Sequence, residues 1–294
     1  TIVSFVKKNK NNNKKKNIEL NNLTRGQNNI MKYPKTISDL QKIISFANNN
    51  NYKITVISGG HSLYFMRGFP KFSINKLILV SMKNFKDITY LKKKKRYLLN
   101  AGVNSGEIKN FNKKIKDYYC LHGDCNEVGL GFFINGGGSF SGINFGTRIT
   151  GFASDYIKKI NYVNAHGICK SIDDIEDDEF KSLKMLGGEF GIITSIEVEL
   201  IKKPIPVFYW LSIDCDDKNI FELIEYIFTS TELNNNDINM ELAISSFEKK
   251  LIIIFWYKPS KKNKRVFNKI IKNYKVKFKI NKLETFVINL KNII

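Results

Sequence analysis

Histidine is nearly missing from this chain, cysteine is scarce, and no long apolar run occurs. Three histidines and four cysteines are found in 294 residues. The cysteines, at 120, 125, 169 and 215, are too few for a disulfide scaffold in a chain of this length, and their spacing does not fix a redox compartment. No apolar stretch reaches the length that spans a bilayer, so no membrane span is expected. The chain opens on Thr1, without Met or a signal-peptide pattern, so it reads as trimmed, a targeting segment can be missing from it, and its location is left open. Acids are also under-represented: 27 Asp and Glu face 48 Lys and Arg, a formal charge of +21. Such a charge often marks polyanion partners. Here the lysines are spread over the whole length beside asparagine runs ("KKNKNNNKKKN", "KKKK"). We read them as a solvated surface and expect no nucleic-acid partner.

Hydrophobic residues make up 43% and aromatics 13%, enough for two folded domains. Residues 1–29 are a basic, low-complexity lead-in. Thr36 or Ser38 opens a helix with Leu40, Ile43, Ile44 and Phe46 on one side. "YKITVIS" and "KLILVSM" read as strands, as does "RYLLNAGV". Asn104 or Ser105 opens a second helix. "DYIKKINYVNAHGICKSI" reads as two strands around a His-Gly turn, and "GIITSIEVELIKK" alternates until Pro204 and Pro206, which mark a boundary. Beyond it strand, helix, two strands and helix follow. The mixture indicates an α+β protein.

Two glycine clusters stand out. "VISGGHS" ends a strand on a glycine pair and places His61 directly after it. "CLHGDCNEVGLGFFINGGGSFSG", residues 120–142, crowds seven glycines into a short span. That density costs backbone entropy, and it suits backbone that closely approaches a ligand or forms anion-binding nests. The dinucleotide fingerprint fails, because Ile134 stands where its third glycine belongs. No P-loop and no nucleophile elbow is present. A metal site is a rival: Cys120, His122 and Cys125 form C-x-H-x-x-C, and His166 and Cys169 form H-x-x-C.

"VISGGHS", "GDCNEVGLGFFINGGG", "GFASDYIKKINYVNAHG" and "LGGEFGIITSIEVEL" occur in order over residues 30–205. Together they resemble the flavin-binding segments of FAD-linked oxidases of the vanillyl-alcohol-oxidase (PCMH-type) superfamily, in its berberine-bridge-enzyme-like branch. The resemblance implies a PCMH-type FAD-binding domain of two α+β subdomains over 30–205. A partial α/β substrate domain with an antiparallel sheet would cover 206–294, where relatives continue further. It implies FAD bound covalently, through His61 to the 8α-methyl and Cys125 to C6. Ser58, Gly59, Gly60 and Ser62 would face the pyrophosphate. Gly129, Asn135, Gly136 and Gly137 would cradle flavin and ribityl atoms, and Gly191 and Ile193 would meet the adenosine end. Val128 would stand near the oxygen-reactive face, its small side chain favouring an oxidase that makes H2O2. Asp155 matches a family aspartate.

The implied reaction is hydride transfer to flavin N5 from an alcohol, a hemiacetal of a carbohydrate, or an alkaloid-like substrate, with O2 as second substrate. The general base is not assigned, although Glu241 and Tyr257 lie on expected strands. No metal is expected on this reading. Phe133 departs from the family, which often has histidine there, and a phenyl ring donates no hydrogen bond. A dehydrogenase or an impaired flavoprotein is therefore the alternative, and a basic zinc- or nucleic-acid-binding protein is the second.

Overall fold

The computed structural model describes residues 30–60, 76–123, 126–131, 150–186, 190–202, 207–214, 220–245, 250–273 and 278–280. Two compact units divide near Pro204. The first begins with β1 (Ile30–Lys32) and α1 (Ile37–Asn50). Thr36 caps α1 in a reciprocal box: its hydroxyl accepts from Asp39 N at 3.1 Å, and the Asp39 carboxylate accepts from Thr36 N at 3.0 Å. Leu40, Ile44 and Ala47 form the buried stripe. Phe46, expected to face inward, is 43% exposed. A helix turns 100° per residue, so position 47 returns to the face of 40 and 44 and position 46 does not. Asn51 ends α1 in the left-handed conformation.

Strands β2 (Lys53–Ile57) and β3 (Leu77–Ser81) complete a parallel sheet in the order β1-β3-β2. The second sheet is antiparallel. It contains β4 (Ile88–Leu91), β5 (Arg96–Asn100), β7 (Ile157–Asn164), β8 (Cys169–Ile172) and β9 (Gly191–Glu199), in the order β4-β5-β9-β7-β8. Between β5 and β7 lie α2 (Ser105–Asn112) and the short β6 (Tyr118–Tyr119), which pairs with β10 (Ile201–Lys202). Helix α3 (Asp178–Leu186) separates β8 from β9 and buries Phe180 and Leu183.

The central strand β9 is buried from Ile192 to Val198. That includes Glu197, which is tolerated because Arg96 and Lys94 each lie 3.3 Å from its carboxylate. One apolar core joins Leu40 and Ile44 to Val80, Leu99, Ile160 and Ile196.

The second unit is an antiparallel sheet, β12-β13-β11-β14, built from β11 (Val207–Asp214), β12 (Ile238–Ser245), β13 (Lys250–Tyr257) and β14 (Phe278–Ile280). Helices α4 (Ile220–Thr229) and α5 (Lys261–Asn273) share its core, where Leu223, Ile227, Phe267 and Ile270 meet Leu211, Ile253 and Phe255. Helices segregated with an antiparallel sheet make this an α+β arrangement.

Tyr97 of β5 is fully buried, edge-on to Tyr90 and Phe111, and its hydroxyl has no hydrogen-bond partner among the described residues. A buried hydroxyl without a partner costs stability. Tyr97→Phe is expected to stabilise the protein by about 1 kcal/mol, read as a higher urea midpoint. A lower midpoint would show that the hydroxyl does hold a partner.

Candidate functional site

The first glycine cluster follows β2. Ser58 leaves the strand, and Gly60 turns the chain at φ +68°, in the region glycine occupies at little cost. The Ser58 hydroxyl donates to Ala101 O at 2.5 Å and accepts from Leu130 N at 2.8 Å. The expected pyrophosphate ligand therefore has its hydroxyl tied into the protein, where it joins the end of β5 to a loop 72 residues further on. Gly59 meets that loop backbone to backbone. A Cβ on Gly59 would lie 2.2 Å from Glu127 O, and one on Gly129 would lie 2.2 Å from Gly59 N. Neither position accepts a side chain. Among the described residues, only Ile57 Cγ2 comes near where a Cβ on Gly60 would stand, at 3.7 Å. A left-handed glycine turn fits a phosphate-bearing cofactor, whose oxygens can come close to bare backbone.

The second loop rests on the start of α2. Asn104 caps this helix in a box with Glu107. The next two amides, free of intrahelical partners, donate to the loop: Ser105 N to Val128 O at 2.8 Å and Gly106 N to Asn126 O at 3.0 Å. The Ser105 hydroxyl donates to Val128 O at 3.1 Å and accepts from Gly123 N at 2.8 Å. Lys109 Nζ reaches Asn126 Oδ1 at 3.3 Å. Val128 is half-buried against the core.

His122, weighed above as a metal ligand, is 5% exposed. Its Nδ1 bonds Gly123 O at 2.9 Å and its Nε2 meets the Tyr119 hydroxyl at 2.6 Å. A carbonyl only accepts, so Nδ1 carries the proton and Nε2 accepts from Tyr119. Burial and the Lys109 charge hold its pKa down at about 4. Cys120 is also buried. Its thiol donates to Leu121 O at 3.3 Å, and burial pushes its pKa well up. Neither group is poised for zinc, and no cluster of three or more metal-ligating side chains exists among the described residues.

Gly191 opens β9, where a Cβ would lie 2.5 Å from Val163 O. Ile193 is buried in the core, opposite Tyr162 in the β7–β9 register. Asp155 accepts from Phe152 N at 3.2 Å, a local structural bond. Tyr257 packs on Phe255 and Phe267 in the second core. His61, Ser62, Cys125, Phe133, Asn135, Gly136 and Gly137 lie outside the described residues. Sequence reasoning placed Ser105 at a helix start and Gly123 within the glycine-rich run, but missed that both hold the loop.

Residues 29–173 match the family described as the FAD binding domain. Berberine bridge enzyme-like 6 of Arabidopsis thaliana is 26% identical over 173 residues, 58% of this chain and 30% of that protein. Among solved structures, wild-type BBE-like 1 of Physcomitrella patens aligns at TM-score 0.71 and 20% identity, covering 89% of this chain and 56% of that one. Wild-type Phl p 4.0202, described as a glucose dehydrogenase, aligns at TM-score 0.69 and 19% identity, covering 85% and 50%. The structural likenesses speak for the fold. Residues 29–173 therefore form an FAD-binding domain, and the chain is similar to FAD-linked oxidoreductases of the berberine-bridge-enzyme-like kind. The matched region spans about a third of that curated relative.

Ser58→Ala leaves Leu130 N–H and Ala101 O without their partner, and a loss of about 1–3 kcal/mol is expected in denaturant unfolding. His122 makes stability depend on pH. Below its ordinary value of 6.5 the unfolded chain takes up a proton that the folded chain refuses until about 4. Stability is therefore lost as pH falls through that window, by up to about 3 kcal/mol. His122→Gln should unfold with a flatter pH dependence, and an unchanged profile would assign the proton elsewhere.

Proposed function

We propose that this chain is the flavin-binding portion, with the start of the substrate domain, of an FAD-dependent oxidase. Residues 30–205 hold FAD and 206–294 begin the substrate domain. The observation that carries this reading is the seating of Ser58-Gly59-Gly60 against the 126–130 loop, within a segment that matches an FAD-binding domain. Bound FAD supplies a two-electron acceptor for a hydride from carbon.

On this reading the turn at Gly59-Gly60 offers backbone to the pyrophosphate, with Ser62 beside it. Gly129, Asn135, Gly136 and Gly137 line the flavin and ribityl atoms, and Gly191 and Ile193 offer main chain to the adenosine end. His61 and Cys125 anchor the ring covalently, since imidazole and thiolate are both competent nucleophiles. Ser105 and His122 hold the second loop in shape, and the Gly59–Gly129 contact fixes its distance from the first. Val128 leaves an opening for O2, which departs as H2O2.

A valine is favoured for that task by one pair of descriptions. Wild-type Phl p 4.0202 is described as a glucose dehydrogenase, and its isoleucine-to-valine variant as a glucose oxidase. Those descriptions also favour a carbohydrate alcohol or hemiacetal over an alkaloid-like substrate.

The test is the intact mass of the denatured parent, His61→Ala, Cys125→Ala and the double variant, followed by peroxide detection over a sugar panel. The parent and each single variant are expected to retain one FAD through denaturation, and the double variant none. A parent that binds FAD but releases it on denaturation would end the bicovalent reading. A parent without FAD would end the cofactor reading altogether.

A further inference from the structure

The loop that holds Val128 contains a position with no room for a side chain, and that lack of room bears on Val128 itself. Gly123 is buried, and both its polar groups are fixed: N–H to the Ser105 hydroxyl at 2.8 Å, and C=O to His122 Nδ1 at 2.9 Å. A Cβ there would lie 2.6 Å from Val128 Cγ1, 2.8 Å from Val128 Cβ and 3.0 Å from Ser105 Oγ. Val128 cannot retreat along its backbone, because its carbonyl accepts from both Ser105 N and Ser105 Oγ. A β-branched side chain has few rotamers to turn to. A methyl group added at 123 is therefore passed to the Val128 isopropyl group, which has to move off its seat.

We propose that Gly123 is a positioning residue for Val128 and thereby sets how readily O2 reaches the reduced cofactor. The inference rests on the reading of Val128 as the oxygen-access residue. In the step concerned, O2 takes two electrons from the reduced cofactor and two protons, and leaves as H2O2. Gly123 supplies no atom to that step. Its contribution is the absence of one: the isopropyl group lies back against a bare α-carbon, and the approach stays wide. Gly123→Ala then acts as an enlargement of residue 128 without altering residue 128.

The experiment needs no substrate. The full chain with bound FAD is photoreduced without oxygen, then mixed with air-saturated buffer or with a ferricenium dye. Flavin absorbance is followed and normalised to flavin content. Gly123→Ala is expected to slow reoxidation by O2 about tenfold, the scale on which one methylene alters a tight apolar passage, and to leave the dye reaction within about twofold. Gly123→Ala combined with Val128→Gly should return to the oxygen rate of Val128→Gly alone, because both Val128 atoms that crowd the added methyl are then gone.

Equal slowing with O2 and dye, or no recovery in the double variant, would overturn the proposal. If Gly123→Ala fails to fold, the double variant decides. Folding with the Val128→Gly oxygen rate supports the steric link, and failure to fold, where Val128→Gly alone folds, refutes it. Val128→Ile separates the two levels of the argument. If it slows the oxygen reaction while Gly123→Ala does not, this inference alone is wrong. If Val128→Ile changes nothing, the oxygen reading of Val128 falls and takes the inference with it.

Discussion

Two bare α-carbons touching across the chain set the geometry of the whole site. Gly59 and Gly129 approach so closely that a methyl group on either would overlap backbone of the other loop. Backbone contact of this kind has no rotamer to relax and no side chain to move aside, so the spacing between the loops is fixed. The hydrogen bonds around it share one direction. Ser58 pulls Leu130 toward the end of β5, and the amides of Ser105 and Gly106 pull Val128 and Asn126 toward α2. Glycine here serves the contact between loops.

The start of α2 is the second organising element. A helix N-terminus leaves amides without partners, and an anion is one way to satisfy them. Here loop carbonyls satisfy them. The charge near this end is balanced within the fold, with Glu107 closing the cap box and pairing with Lys86 at 3.0 Å. His122 contributes by staying neutral. A charged imidazole would place an uncompensated cation in the core near Lys109, and it would lose the acceptor that Tyr119 requires.

Periodicity made much of the scaffold legible. The Thr36 cap, the Leu40/Ile44 face and the alternating run into β9 are local patterns with local causes. α3 and β4 were not legible. The run Asp178–Leu186 is mostly polar and reaches the core chiefly through Phe180 and Leu183, and β4 is four residues without a fully buried side chain. Their form depends on neighbours distant in sequence. The site divides in the same way. Its glycine clusters announce themselves by density, and their resemblance to a flavin-binding family gave them a meaning. The task of the Ser58 hydroxyl did not follow from sequence, nor did the pairing of both His122 nitrogens or the closeness of Gly123 to Val128. Each depends on which loop lies against which, and that is a property of the assembled fold.

The order of the five-stranded sheet also governs when the protein can become itself. β5 lies beside β9, and Arg96 reaches Glu197 across 101 residues of sequence. A sheet whose centre is contributed last has high contact order and forms slowly. On the ribosome, residues 58–60 and 126–131 emerge well before the strand that completes their support. During that interval the nascent chain exposes β5 and β7 with open edges toward the missing β9, the state in which strand edges invite wrong pairing. The window closes only once Gly191–Glu199 has been made. The full support of both glycine loops therefore exists only after the first unit has been synthesised.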